Sequence, residues 1–359
     1  MSEITRDQAS PRIIENTNLS DMTTLGIGGS ARFFTEVTDT DELGLAIQWS
    51  RARNLPLFIL GGGSNILVAD VGFNGLVIKM ALRGIDTDVQ DNVATITAGA
   101  GEPWDGLVAY AVASGFAGIE CLSGIPGLVG ATPIQNVGAY GQEVSDTITE
   151  VEAFDTTTNQ SAHIVASDCL FGYRSSRFKT HEPGRFIITR VRYRLAPGPP
   201  AAIKHAELAK SIRSSPPSLP DVRAAVLAIR RSKGMVLDSG DPDTRSVGSF
   251  FVNPVVTDAE LKKIQSRAQA AGVDLSGMPV FSQGGGLFKL SAAWFIERAG
   301  FNRGHARGKA AISSKHSLAI TNRGGAAARD IVGLAEEIKS NIFDRFGIEL
   351  IPEPVLVGF

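Results

Sequence analysis

Residues 124–141 read Gly-Ile-Pro-Gly-Leu-Val-Gly-Ala-Thr-Pro-Ile-Gln-Asn-Val-Gly-Ala-Tyr-Gly, and this segment rules out most ways of folding it. Five glycines and two prolines in eighteen residues exclude a long helix. Glycine carries too much conformational entropy for one, and proline lacks the N–H donor. Ile125, Leu128, Val129, Ile134 and Val137 also make the stretch too apolar for a solvated loop. What remains is irregular backbone packed against something. It is either a buried connection or the lining of a ligand site, where Gly and Ala let main-chain amides come close.

Short apolar runs and glycine-rich turns alternate ahead of this segment. Residues 56–60, 75–79 and 93–97 read as strands. Helical spacing covers 41–53, with Leu45, Ala46 and Trp49 on one face, and 103–114, with Trp104, Val108, Ala111 and Val112. Residues 147–166 predict an antiparallel hairpin around Thr156-Thr157-Thr158-Asn159, and 186–195 alternate with period two. Composition shifts at Pro197-Gly198-Pro199-Pro200, with further prolines at 216, 217 and 220. That shift places a domain boundary across 197–217. Beyond it, Ser218 with Asp221 and Thr257 with Glu260 have capping-box spacing, opening helices that stop near Gly234 and at Gly272. A long amphipathic helix is expected over 326–346, with Ile331, Leu334, Ala335, Ile338 and Ile342 inward, then an apolar strand over 349–357.

Length and charge narrow the function classes. At 359 residues the chain is too long for one comfortable core. Lys plus Arg total 35 against 37 for Asp plus Glu, a formal net charge of −2, which leaves no general footprint for nucleic acid. Cys121 and Cys169 lie in interior-looking segments without paired spacing, so buried free thiols are expected. No basic stretch followed by an apolar run opens the sequence, and no apolar run reaches the ~20 residues of a membrane helix. The expectation is a cytoplasmic protein with no membrane partner, no nucleic-acid partner and no metal site. A monomer or weak homo-oligomer fits the same picture.

Two further segments carry chemistry. Gly61-Gly62-Gly63-Ser64-Asn65 follows the strand at 56–60, and consecutive glycines let N–H groups converge on a phosphate. A tight turn is the alternative. No Gly-Lys-Ser/Thr follows, and the pattern is not Gly-x-Gly-x-x-Gly, which sets aside P-loop and Rossmann sites. In Gly248-Ser249-Phe250-Phe251 a serine sits between a glycine and two aromatics; residue chemistry alone reads it as a strand-edge serine beside a core.

Taken in order, these three segments together with Phe171-Gly172-Tyr173-Arg174-Ser175-Ser176 and the continuation Val252-Asn253-Pro254 resemble the UDP-N-acetylenolpyruvoylglucosamine reductases, from about residue 20 to the C-terminus. The resemblance implies an α+β fold. A two-part FAD-binding domain of the vanillyl-alcohol-oxidase/PCMH flavoprotein type would fill 1–198, in halves of about 1–85 and 86–198. A Pro-rich linker over 199–217 and a smaller α/β substrate-binding domain over 218–359 would follow. FAD binding is carried to Gly61, Gly62, Gly63, Ser64 and Asn65. It extends to Ile125, Pro126, Gly127, Gly130, Ala131, Thr132, Gln135, Asn136, Gly138, Ala139 and Tyr140. Histidines 163, 181, 205, 305 and 316 all lie outside these motifs, so the FAD is expected to be noncovalent.

The family's chemistry gives Ser249 the role of proton donor after hydride addition, with NADPH as the hydride source. Arg174 would hold the substrate carboxylate through planar donors. Glu353 would act as a protonated acid or through a network, because a bare carboxylate repels an enolate. Lys233 and Asn253 match positions for the UDP portion, although Lys233 also reads as a cation ending a helix. Tyr140 is placed near the substrate as well. His205 falls where one subclass of the family has a substrate-capping tyrosine. Residues 301–314 read as a Gly- and basic-rich insertion and a solvated loop, followed by Lys315 and His316, one of which is expected to face the ligand. The product implied is UDP-N-acetylmuramic acid, a cell-wall precursor. Two rivals stand beside this reading: a flavin oxidase acting on an alcohol, and a noncatalytic flavin- or nucleotide-binding protein.

Overall fold

A computed structural model describes residues 11–359. The described chain divides into two compact units, one formed by 11–17, 30–63 and 73–231, the other by 18–29, 64–72 and 232–359.

In the first unit, a four-stranded sheet runs in the order Ile14–Asn18, Ser30–Val37, Phe73–Met80, Leu57–Leu60. Phe73–Met80 pairs in parallel with both of its neighbours. Leu76, Val77 and Ile78 are buried in succession, as expected of a parallel strand covered on both faces. Helix α1, Thr40–Arg51, follows the second strand. Its N-cap Asp39 accepts the Glu42 N–H at 2.8 Å, and Glu42 reaches back to the Thr38 N–H at 2.7 Å. The buried face of α1 is Leu43, Ala46 and Ile47, which corrects the expected Leu45, Ala46 and Trp49. Trp49 instead packs edge-on to Phe33 at 5.1 Å, with the Arg53 guanidinium 4.2 Å from its ring.

A second, antiparallel sheet is ordered Gln160–Val165, Ile148–Asp155, Phe186–Pro197, Val93–Gly99, Ile85–Gln90. It contains the expected hairpin, with Asp155 opposite Gln160. Helix α2, Trp104–Ala113, turns Trp104, Leu107, Val108, Ala111 and Val112 into the core shared with both sheets.

Helices α3, Ala206–Ser211, and α4, Leu219–Ser232, follow. The Ser218–Asp221 box forms at the start of α4, the Ser218 N–H reaching Asp221 at 2.9 Å. Leu208 of α3 and Val222, Val226 and Ile229 of α4 pack with Cys121, and Arg223 grips Asp105 through two bonds of 2.6 and 2.9 Å. The stretch read as a linker, 199–217, and α4 after it therefore pack within the first unit. Composition marks where residue usage changes, not where packing closes. Cys121 and Cys169 are buried free thiols, and burial pushes both up to about 12.

The second unit is built on α5, Asp258–Ala270, α6, Ala292–Arg298, and α7, Ala328–Phe346. Thr257 and Glu260 form the expected reciprocal box. Helix α7 buries Ile331, Leu334, Ala335, Ile338, Ile342 and Phe346, each large side chain contributing about 1.5–3 kcal/mol of transfer free energy. Asp70 caps this helix, accepting the Ala328 N–H at 2.6 Å. Leu25, Ile27 and Leu67 belong to the same core, which is why two early segments join the C-terminal part.

Two expectations fail in this unit. The terminal strand is only Val355–Val357, parallel to Ile66–Val68, because Pro352 and Pro354 have no N–H for a longer ladder. The 301–314 segment is not a solvated loop. Ala306–Arg307 and Ala310–Ile312 form a small sheet with Ile320–Asn322, and Phe301, Ala310 and Ile312 enter the core. Small residues at 310 and 311 permit that burial, which the neighbouring basic residues obscured. Among the described residues no helix is long and apolar enough to cross a membrane.

Candidate active site

The glycine-rich turn begins where Leu57–Leu60 ends. A Cβ on Gly62 would lie 2.7 Å from the Gly127 Cα, so the two glycine-bearing motifs meet backbone to backbone. Gly63 adopts φ +66°, open to glycine at no steric cost. Lys79 Nζ donates to the Gly61 carbonyl at 2.5 Å; burial lowers its pKa, opposed by nearby Glu36. Sequence reasoning missed Lys79, although a lone charge inside Gly75-Leu76-Val77-Ile78-Lys79-Met80 was the available signal. A turn this close to a second glycine-rich strand of backbone fits a pyrophosphate-bearing cofactor, which needs converging amides rather than side chains.

The 124–141 segment is held from behind. Val129 and Gly130 donate to the carbonyls of Glu102 and Ala100 at 2.9 and 3.0 Å, and Trp104 donates to Gly127 at 3.0 Å. Gly130 has no room for a side chain, since a Cβ would come 2.6 Å from the Ala100 Cβ. Thr132 is buried, its hydroxyl bonded to the Val129 carbonyl and to Tyr193 Oη at 3.1 Å. Asn136 is buried too, with its amide committed to Glu143, Gly172 and Ser145. Ile125, Pro126, Gly127, Gln135, Gly138, Ala139 and Tyr140 are half-buried, and Ala131 is exposed. The side chains of Thr132 and Asn136 thus serve the scaffold. Tyr140 meets His205 edge-to-face at 5.1 Å, and Tyr140 lines a cavity of about 210 Å³ with Cys121, Gln142 and Lys204.

Arg174 sits in a tight turn in which Gly172 and Ser175 exchange N–H···O bonds of 3.0 and 3.1 Å. Its φ is +52°, and Asn136 and Tyr140 are also left-handed at +45° and +50°. Each such non-glycine residue costs about 1–2 kcal/mol, so three in one site mark backbone held by its surroundings. The Arg174 Nη2 donates to the Gly138 carbonyl at 3.0 Å.

Ser249 and Glu353 are brought together in the second unit. Gly248 takes φ +74°, and the following Phe250 and Phe251 are buried, 2% and 1% exposed, with rings 5.2 Å apart. The Phe250 N–H donates to the Leu318 carbonyl at 2.7 Å, and the Phe250 carbonyl accepts the Glu353 N–H at 2.9 Å. Phe251 bridges to Pro352. Ser249 itself is half-buried beside these two buried rings. Asn65 holds the opposite side of Glu353: its Nδ2 reaches the Glu353 carbonyl at 3.4 Å, and its own carbonyl accepts the Val355 N–H at 3.0 Å. Arg174 belongs to the first unit.

Of Lys315 and His316, one of which is expected to face the ligand, Lys315 is bonded to Asp241 at 2.6 Å, which raises its pKa. His316 Nδ1 accepts the Leu318 N–H at 3.0 Å. Both shape the turn that offers the Leu318 carbonyl to Phe250. Asn253 Oδ1 accepts the Ala292 N–H at 3.0 Å at the start of α6. Lys233 is half-buried just beyond α4, followed by Gly234 at φ +65°. Glu150, Glu152 and His163 do come within 4.8 Å of one another, yet Arg192 pairs with Glu150 at 3.2 Å, and the group reads as a cross-strand ion cluster.

A family model described as FAD binding domain matches residues 31–159, and FAD is the cofactor such a domain holds. A second, described as the C-terminal domain of UDP-N-acetylenolpyruvoylglucosamine reductase, matches residues 241–357, the stretch carrying Ser249 and Glu353. The chain is 46% identical to the UDP-N-acetylenolpyruvoylglucosamine reductase of Thermobifida fusca, over 96% of this chain and 97% of that one. It is also 46% identical to that of Saccharopolyspora erythraea, over 99% and 98%. Among solved structures, the reductase of Thermus caldophilus superposes with a TM-score of 0.66 at 27% identity, covering 96% of this chain and 98% of that one. With relatives this similar over nearly the whole chain, the chain belongs to the UDP-N-acetylenolpyruvoylglucosamine reductase family.

Proposed function

We propose that this chain is an oxidoreductase that reduces the enolpyruvyl double bond of UDP-N-acetylenolpyruvoylglucosamine to give UDP-N-acetylmuramate, with NADPH as hydride source, in the cytoplasm. The observation that supports the reading is the Glu353 N–H bond to the Phe250 carbonyl at 2.9 Å, which ties the backbone of an acid to the residue that follows Ser249. When bound, FAD supplies the hydride that adds at C3 of the enolpyruvyl group. Gly61, Gly62, Gly63 and the backbone of 125–140 would hold it.

The remaining chemistry belongs to side chains of this protein. Hydride at C3 leaves an electron pair at C2, beside the substrate carboxylate. Arg174 directs guanidinium donors at that carboxylate, where the charge spreads. Serine is a very weak acid, so Ser249 can donate only to a carbon this basic and only when already aligned. Its proton goes to C2. Glu353, in its protonated form, supports the developing charge. Lys233, Asn253, Tyr140 and His205 contact the sugar nucleotide.

The test uses the yellow holoprotein without oxygen. NADPH should bleach the flavin bands, and the enolpyruvyl sugar nucleotide should restore them. Ser249→Ala should bleach normally and recover about 10²–10⁴-fold more slowly. Turnover of Ser249→Ala within about threefold of the wild type would sink the assignment, since a lost general acid costs far more. Steady oxygen consumption with an alcohol, without NADPH oxidation, would favour a flavin oxidase instead.

A further inference from the structure

The turn that carries Arg174 is tied to the 124–141 segment by one buried amide. Asn136 is 1% exposed and left-handed, and every polar atom of its side chain is engaged. Nδ2 donates to Glu143 Oε2 at 2.7 Å and to the Gly172 carbonyl at 3.1 Å. Oδ1 accepts the Ser145 N–H at 3.2 Å. An amide nitrogen has two protons, so nothing on it is left to donate. The Asn136 carbonyl lies 3.5 Å from Arg174 Nη1, while the Gly138 carbonyl takes Nη2 at 3.0 Å. Both ends of Arg174 are therefore referred to the same residue: the backbone turn through Gly172, and the guanidinium through the main chain of 136–138.

We propose that Asn136 is a positioning residue for Arg174, oriented by Glu143, and that its amide is not a flavin contact. Glu143 selects the amide orientation, because a carboxylate accepts from Nδ2 and would repel Oδ1. The oriented amide then fixes the Gly172 carbonyl. That carbonyl belongs to the turn whose closure holds Arg174 in a left-handed conformation that a long side chain rarely adopts. Releasing the amide frees the turn to relax, and the guanidinium loses its aim without losing its charge. The proposal rests on the reading of Arg174 as the donor to the substrate carboxylate.

Asn136→Gly is the informative variant, since glycine keeps the left-handed backbone and deletes only the amide. Glu143→Ala is the second, removing the acceptor from a half-buried residue in case the first does not fold. In Glu143→Ala, outside the flavin-binding residues, FAD affinity, read by flavin fluorescence on reconstitution, and flavin bleaching by NADPH should stay within about twofold, because the oriented amide serves neither. In both variants, reoxidation by the enolpyruvyl substrate should slow by about 100-fold, as expected for a misaimed group. In an Arg174→Ala background, the same changes should slow it by less than about twofold more, because residues acting as one unit are not additive.

A tenfold or greater loss of FAD affinity in Glu143→Ala, or a full additional loss of either variant on top of Arg174→Ala, overturns the proposal. Should Arg174→Ala itself reoxidise normally, the reading of Arg174 falls and the proposal with it. If Arg174→Ala is slow while Asn136→Gly and Glu143→Ala are both normal, only the positioning role falls.

Discussion

Arg174 and the Ser249–Glu353 pair are held in opposite ways. Around Arg174, side chains brace the turn that two main-chain bonds close: the Asn136 amide, the Glu143 carboxylate and the Ser176 hydroxyl, which reaches the Ile134 carbonyl at 2.5 Å, surround an arginine held at φ +52°. Around Ser249 and Glu353, main chain does it, from Leu318 to Phe250 to Glu353, with Gly248 at the one left-handed position. A group placed by backbone ladders can lose its side chain without moving its neighbours. A group placed by a network of side chains cannot lose one partner alone.

The largest effect expected from this contrast is a clean one. Ser249→Ala should cost about 10²–10⁴ in the substrate step while thermal stability stays within ±0.5 kcal/mol of wild type, because no ladder bond uses the hydroxyl. A melting curve beside the stopped-flow trace checks both halves. A fall in melting temperature large enough to account for the lost activity would show that the serine is structural.

Next comes Gly62→Ala, where the obstruction is main chain against main chain. A Cβ 2.7 Å from the Gly127 Cα cannot be relieved by a rotamer, so the two motifs must part. Stability should fall by about 1–3 kcal/mol, and purified protein should carry less flavin, read as the ratio of flavin to protein absorbance. Full flavin content would mean that the approach of these glycines is not what the cofactor needs.

Local rules made much of this legible. The boxes at Ser218–Asp221 and Thr257–Glu260 involve residues three apart, and α7 shows its buried face at helical spacing. Longer-range commitments left no mark. The Asn136 amide reaches the Gly172 carbonyl across 36 residues, and Asn65 supports Glu353 across 288. The left-handed state of Arg174 is equally silent, since an arginine gives no sign of a positive φ. The terminal strand was overextended because hydropathy outweighed the missing N–H groups of Pro352 and Pro354. Basic residues between 303 and 309 hid the buried Ala310–Ile312 strand.

A smaller effect separates strain from collision. At Gly248, with φ +74°, a Cβ would meet nothing within 4 Å, so Gly248→Ala should cost only about 1–2 kcal/mol of backbone strain. Denaturant unfolding measures this directly. The Ser249 step should slow by less than in Gly62→Ala relative to the stability lost, because the ladder through Phe250 remains intact.

The smallest effect concerns acid, and it treats the two regions alike. Burial alone would raise the Asp243 carboxyl, but the Ser314 hydroxyl and N–H, Ser313 and nearby Arg323 outweigh it and hold the group below its ordinary value. Asp105 behaves likewise: burial opposes, while Arg223 and the Gly124 N–H prevail. A carboxyl depressed by folding lends stability above its unfolded value of about 3.9, and loses it as pH falls through the lower folded value. Melting temperature should therefore drop below about pH 4, and Asp243→Asn should flatten part of that drop, as should the pair Asp105→Asn with Arg223→Gln. Asp243 also anchors the turn ahead of Leu318, so acid should loosen the Ser249 side through Ser314, and in the first unit the Asp105–Arg223 contact of α4. An Asp243→Asn protein whose melting falls as steeply below pH 4 as the wild type would show that main chain alone holds that turn.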